Sequence, residues 1–197
     1  MRVFDFDNTI YKGESAVDFF VFYLKKYPLQ VVRYVPKFVA GVIKYKSGKL
    51  GIDEVINEYG AIFRACCLKF GNIPEAIKEF WDLHEKKIKP FYREIQADDD
   101  VILSASPEVV LNEICARIGI KHIIGSDLDI EKGEIRSMCF RENKIKRFRE
   151  VYGDIKIDEF YTDSYNDKPF MDISDTVYFV KGDKIEKIKE YGKYIKA

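Results

Sequence analysis

The chain has 197 residues, enough for one good core with a smaller appended domain. Lysine plus arginine and aspartate plus glutamate both number 33, so there is no basic excess of the kind that marks a nucleic-acid binder. Four cysteines without a C-x-x-C pair and two histidines argue against zinc, and no apolar run approaches the ~18 residues of a membrane span.

The opening apolar run, 3–6, reads as a buried strand. Asp5 and Asp7 stand two residues apart at its end, just before a turn at Asn8. Both carboxylates can therefore reach one spot beyond the strand's carboxyl end, the edge where open α/β sheets hold ligands. Two carboxylates about 4 Å apart repel by about 4 kcal/mol at a surface-like dielectric. A divalent cation or a shared proton offsets that cost. A start on a strand predicts no signal peptide, and thiols without a metal pattern suit a reduced, cytoplasmic setting.

Gly13 supplies a turn, and Ser15 is placed to cap a helix over 16–24 that is dense in aromatics. Pro28 opens a second helix, whose stripe of Val31, Val32, Tyr34, Val35, Phe38, Val39, Val42 and Ile43 has Lys or Arg between its members. That stripe reads either as helix packing or as a basic-aromatic face. Pro36 should kink or split the helix. After a break at 47–51, further helices are predicted over 52–69 and from Pro74 to about 87, the latter with Ile77, Phe80, Trp81 and His84 on one face. Residues 14–90 thus form an all-helical insertion.

From Pro90 the texture alternates. Strands are predicted at 101–103, 120–125, 159–162 and 177–180, a hairpin at 128–139 around Lys132-Gly133, and helices at 107–118, 142–151 and 169–173. The tail from Lys184 reads as a solvated helix or strand. This order implies a mostly parallel sheet with helices on both faces.

Three later stretches also lie at strand ends or helix starts. Ser104-Ala105-Ser106-Pro107 sets a hydroxyl and backbone N–H groups at an edge suited to anions, with Ser106 as the natural helix cap. Lys144 and its competitor Lys146 follow the hairpin. Asp163-Ser-Tyr-Asn166-Asp167 follows the 159–162 strand.

Together with Asp5-Phe-Asp7-Asn-Thr9, these resemble, in order, the four motifs of the haloacid dehalogenase superfamily. The resemblance implies a three-layer Rossmann-like α/β core, residues 1–13 and 91–197, with 14–90 as an inserted helical cap. It implies a Mg²⁺-dependent phosphomonoester hydrolase acting through an aspartyl-phosphate on a small phosphorylated metabolite or a lipid head group. Asp5 would be the nucleophile and Asp7 the acid and base. Ser104 and Lys144 would hold the phosphoryl group, with Thr9, Ala105 and Asn166 beside it. Asp5, Asp7, Asp163 and Asp167 would form the metal set.

The branch with a cap after the first motif, which includes phosphoserine phosphatases and subfamily IB hydrolases, is the most similar. Glu14 and Arg64 would be the cap residues that read the substrate. Ser104-Ala105-Ser106 and Thr162-Asp163-Ser164 depart from the glycine-rich versions in phosphoserine phosphatases. A phosphotransferase of the same fold and a receiver-like phosphate-binding module are the alternatives.

Overall fold

The computed structural model describes residues 1–47, 49, 51, 54–69 and 72–195. Eight strands form one sheet in the order β4-β3-β2-β1-β5-β6-β7-β8. The five central strands are parallel: β3 (His122–Asp129), β2 (Val101–Pro107), β1 (Arg2–Phe4), β5 (Ile157–Thr162) and β6 (Ser174–Lys181). β4 (Glu134–Ser137) closes one edge antiparallel, and β7 (Lys184–Glu190) with β8 (Lys193–Tyr194) closes the other.

β1 lies in the middle, so both its faces must be apolar. Val3 and Phe4 have no solvent exposure. Alternation along the strand sends them to different cores. Val3 joins Val101, Leu103 and Phe160 under helix α8 (Glu142–Tyr152) and α9 (Lys168–Ile173). Phe4 joins Ile102 and Tyr161 under α5 (Ile73–His84), α6 (Pro90–Ile95) and α7 (Glu108–Arg117). The register Phe4↔Ile102 and Phe4↔Tyr161 brings the carboxyl ends of β1, β2 and β5 to one edge.

The remaining helices form the insertion: α1 (Ser15–Lys26), α2 (Pro28–Val31), α3 (Val35–Lys46), a π-helical turn over Val55–Tyr59 and α4 (Gly60–Lys69). The chain leaves and rejoins the sheet along two paired segments. Lys12 N–H donates to Lys87 O at 2.8 Å, Lys89 N–H donates to Ile10 O at 2.8 Å, and Tyr11 bridges Ile88. α5 is fastened to the sheet side: Ile77, Phe80 and Trp81 are buried in the core with Phe4, and the Trp81 indole donates to Val110 O at 2.7 Å.

Several local expectations change. Ser15 is not a cap; it is the first residue of α1, preceded by Glu14 with no side-chain cap bond. Its N–H donates instead to Asp7 Oδ1 at 2.6 Å, so a carboxylate outside the helix meets the positive helix end. Ser106 is not a cap either, because β2 runs on through Pro107, which itself precedes α7. Pro36 splits the helix, with a 3₁₀ turn Val32–Tyr34 before α3. The first strand stops at Phe4, although Asp5 N–H still donates to Tyr161 O at 2.9 Å.

The tail is strand, and α6 was not foreseen. The predicted break at 47–51 and helix start at 52 fall partly outside the described residues. In the apolar stripe Val31 is buried, whereas Val32, Val39 and Ile43 are exposed, so packing accounts for only part of it. Among the described residues no helix is long and apolar enough to cross a membrane.

Candidate active site

Asp5 sits at the end of β1 and is only 7% exposed. Lys144, from the first turn of α8, reaches it through the sheet edge. Its ammonium donates to Asp5 Oδ1 at 2.7 Å and to Asp167 Oδ2 at 2.8 Å, and all three side chains are buried. Burial alone would lower the lysine pKa; Asp167 and Asp5 outweigh it and raise it, so the group stays charged. Lys146 is exposed on the same helix, which separates the two candidate lysines.

Asp167 is itself held by the Thr162 hydroxyl at 2.9 Å. Burial raises the Asp5 carboxyl well above its ordinary value; Lys144 opposes this, while Asp167 and Asp163 add to it. Thr9 Oγ1 donates to Asp5 Oδ2 at 3.4 Å.

Asp7 has a different setting. Asn8, with φ 55°, turns the chain through a conformation that Asn tolerates, and its N–H donates to Gly13 O at 2.9 Å. The Asp7 carboxylate then accepts the Ser106 hydroxyl at 2.6 Å and the Ser15 N–H at 2.6 Å. Because Ser106 has spent its one proton, the Ser15 hydroxyl donates to Ser106 Oγ, 2.8 Å away. Burial pushes Asp7 up to about 6 even though these donors pull it down.

Ser104 is buried, and its Oγ accepts the Ser106 N–H at 3.1 Å. Its own proton remains to donate. Ala105 and Glu14 line a cavity beside Asp7, and Glu14 accepts from Asn8 Nδ2 at 2.9 Å. Asn166 lies in the 3₁₀ turn Tyr165–Asp167 after β5, with its N–H on Ser164 Oγ at 3.2 Å.

Arg64 is the residue that the structure does not bring to the rim. It is exposed, its backbone and stem lie against Gly133 in the β3–β4 turn, and it does not line the cavity. Its spacing in the sequence carried no information about which way α4 would face.

Four groups were missed or misread. Ser106 and Ser15 hold Asp7, Thr162 holds Asp167, and Tyr45 of α3 reaches over the rim. The Tyr45 phenol is pushed up by burial; it also feels Lys144, Asp5, Asp167 and Glu14, so it stays protonated. Lys89 joins the rim from below, donating to Asn8 O and, at 2.7 Å, to Gly182 O.

The donor set fits a hard divalent cation. Four aspartates lie at one edge; the Lys144 ammonium is shared between Asp5 and Asp167, and that of Lys89, also buried, donates to the carbonyls of Asn8 and Gly182. Burial raises Asp163 to about 7; Glu14 and Asp167 add to the rise and Lys144 opposes it, so a cation at this rim would relieve the cost of charging the carboxylates. Among the described residues no three Asp, Glu, His or Cys side chains form a ready-made metal cage. An ion such as Mg²⁺, which takes few carboxylates and completes its shell with carbonyl, water and substrate oxygens, does not require such a cage. Asp5 and Asp163 have the side chains to hold it.

Comparison with known proteins bears on the fold and the family. A protein of unknown function from Bordetella pertussis Tohama I is similar at TM-score 0.68 and 19% identity, covering 87% of this chain and 85% of that one. A phosphoserine phosphohydrolase-like protein from Francisella tularensis subsp. tularensis SCHU S4 is similar at TM-score 0.59 and 16% identity, covering 90% and 86%. The HAD hydrolase YfnB from Bacillus subtilis, bound to magnesium, is similar at TM-score 0.50 and 15% identity, covering 97% and 93%. These likenesses establish the fold. No curated protein matches the sequence. The family model for haloacid dehalogenase-like hydrolases matches residues 3–172, and the chain belongs to that family.

Proposed function

We propose that the protein is a phosphomonoester hydrolase that works through an aspartyl-phosphate on Asp5. The observation that carries this reading is the buried Lys144 ammonium, 2.7 Å from Asp5 and locked by Asp167. It holds one carboxylate oxygen of Asp5 and places positive charge where phosphoryl oxygens gather. Asp5 attacks phosphorus, the bond to the leaving oxygen breaks, and Asp7 gives that oxygen its proton. A carboxyl pushed up to about 6 suits this exchange near neutral pH.

Asp7 then takes a proton from the water that hydrolyses the acyl phosphate. Ser104 and backbone N–H groups at the start of α7 face the equatorial oxygens, with Thr9, Ala105 and Asn166 at the margins. Mg²⁺, held by Asp5, Asp163 and the Asp7 carbonyl, would supply charge neutralisation for the transferring group. Asp167 acts on it indirectly, by orienting Lys144. Magnesium in the similar Bacillus subtilis hydrolase supports this choice of ion.

On this reading residues 1–13 and 91–197 are the catalytic core and 14–90 the cap, with α5 as the part fastened to the sheet. Glu14 and Tyr45 look down on the substrate. A cytoplasmic setting belongs to the same reading; the Cys115 and Cys139 thiols are free and buried, which suits a reducing compartment.

The test is direct. Asp5→Asn should abolish phosphate release from a generic aryl phosphate, by on the order of 10⁴ or more, the scale of losing a nucleophile. Full activity in that variant overturns the proposal. Phosphate on wild-type protein that survives an acid quench but is released by alkali or hydroxylamine, and is absent from the variant, would trap the intermediate.

A further inference from the structure

A cavity of about 380 Å³ lies between the helical insertion and the sheet, within the range of small-molecule sites. One end is polar, formed by Asp7, Glu14 and Ser106. The rest of its wall is apolar and comes from every neighbouring element. Phe20 is contributed by α1, Val42 by α3, Phe63 by α4, Val109 by α7, Leu128 by the β3–β4 hairpin, and Phe140 by the segment before α8. Beyond the Asp7 end, among the described residues, the hydroxyls are those of Tyr23, Tyr45, Tyr59 and Ser126, and no ammonium or guanidinium lines it. The Ser126 hydroxyl donates to Ala105 O at 2.7 Å.

We propose that this cavity is the subsite for an apolar leaving group, so that the substrates are phosphate monoesters of alkyl or single-chain lipid alcohols. The assignment rests on the phosphatase reading for its chemistry. Asp7 stands at the junction, where the leaving oxygen must be protonated, so the alcohol departs directly into the apolar space. The carboxylate of an amino-acid moiety there would lose its hydration and meet no ammonium or guanidinium among the described lining residues, only the like charges of Asp7 and Glu14. An alkyl chain gains instead, because each methylene moves from water onto aromatic and aliphatic walls. Tyr45 sits where the chain meets the phosphate, its ring against Phe140 at 5.9 Å and its phenol toward the carboxylates.

The experiment uses n-alkyl phosphates from methyl to octyl, and O-phosphoserine, at concentrations below micelle formation with Mg²⁺ present. Binding is read by calorimetry on the Asp5→Asn protein, and kcat and KM on the wild type. Affinity and 1/KM should rise about fourfold per methylene, the burial value for one CH₂, until the cavity is filled. Over the same series kcat should change little, and phosphoserine should bind at least tenfold more weakly than butyl phosphate. Val42→Glu, which sets a carboxylate in the wall, should flatten the slope.

Hydrolysis of all esters with no dependence on chain length, or phosphoserine bound as well as butyl phosphate, overturns the subsite while leaving the phosphatase standing. Chain-length-dependent binding without any hydrolysis supports the subsite and removes the phosphatase. If Asp5→Asn does not fold, the wild-type KM series decides alone. Turnover of lysophosphatidate in phosphatidylcholine vesicles, beside octyl phosphate, would assign a membrane source; turnover of octyl phosphate alone would assign a soluble one.

Discussion

At the strand ends the charged side chains meet named partners. Lys144 joins Asp5 to Asp167, Thr162 steadies Asp167, and two serines hold Asp7. On the far side of Ser106 the cavity beneath α1 and α3 has walls of aromatic and aliphatic side chains. The rim takes its precision from parallel strands whose register fixes where each side chain emerges. The cavity takes its shape from helices carried on connecting turns, where one substitution alters volume without disturbing any charge. On the proposed reading, chemistry and selectivity rest on different materials.

The contrast breaks most severely at Lys144. Lys144→Met leaves Asp5 and Asp167 buried without their cation. Stability should fall by about 3–5 kcal/mol, the usual cost of removing one partner of a buried pair, and hydrolysis should vanish with it. The urea midpoint at neutral pH checks this; an unchanged midpoint would mean that the bridge is not formed in solution.

The pH dependence of the cation-free protein sharpens the same point. Asp5, Asp7 and Asp163 are all raised above the ordinary 3.8, Asp7 to about 6 and Asp163 to about 7. Between about pH 4 and 7 the native state then binds more protons than the unfolded chain. The stability these groups give is present below about pH 4 and is lost as pH rises through 6 and 7. In chelator the thermal midpoint should therefore fall across that window, and Mg²⁺ should flatten the fall. The lowered carboxyls of Asp129, Asp158 and Asp172 act below that range. A midpoint that climbs from pH 4 to 7 in chelator would show that the rim carries no excess of charge.

Trp81→Phe tests the fastening between the two regions. It removes the indole donor to Val110 O while keeping an aromatic ring in the core, and should cost about 1–2 kcal/mol. Lys146→Ala, on the exposed face of α8, should stay within about 0.5 kcal/mol and leave turnover intact. An effect on turnover comparable to that of Lys144→Met would reassign the phosphate lysine.

The sheet was legible because its central strands are short apolar runs that lead into polar candidate-site residues: 3–6 with Asp5, 101–103 before Ser104, 159–162 before Asp163. Lys144 was legible through its place just after the hairpin, although only its burial separates it from Lys146. Ser106 was misread because Ser before Pro and a helix is a strong cap pattern, and nothing local reveals a carboxylate 99 residues earlier in the chain. Tyr45 was missed because it lies just beyond the stripe that ends at Ile43, a stripe that itself reads either as packing or as a basic-aromatic face. α6 is six residues long, too short for a 3.6-residue period to appear. Arg64 shows the converse failure, since a suitable residue type in a suitable helix still pointed elsewhere.

The two main-chain bonds joining Lys12 to Lys87 and Ile10 to Lys89 have a consequence for how such a molecule diversifies. A segment whose ends leave the sheet side by side is a closed loop, and altering its length costs only about 0.6 kcal/mol per doubling. The aspartate-bearing strands can keep their register while the helices above are exchanged wholesale. A chimera that accepts a foreign helical insert at this neck, and supplies an anchor equivalent to Trp81, would inherit a working reaction centre with a new appetite.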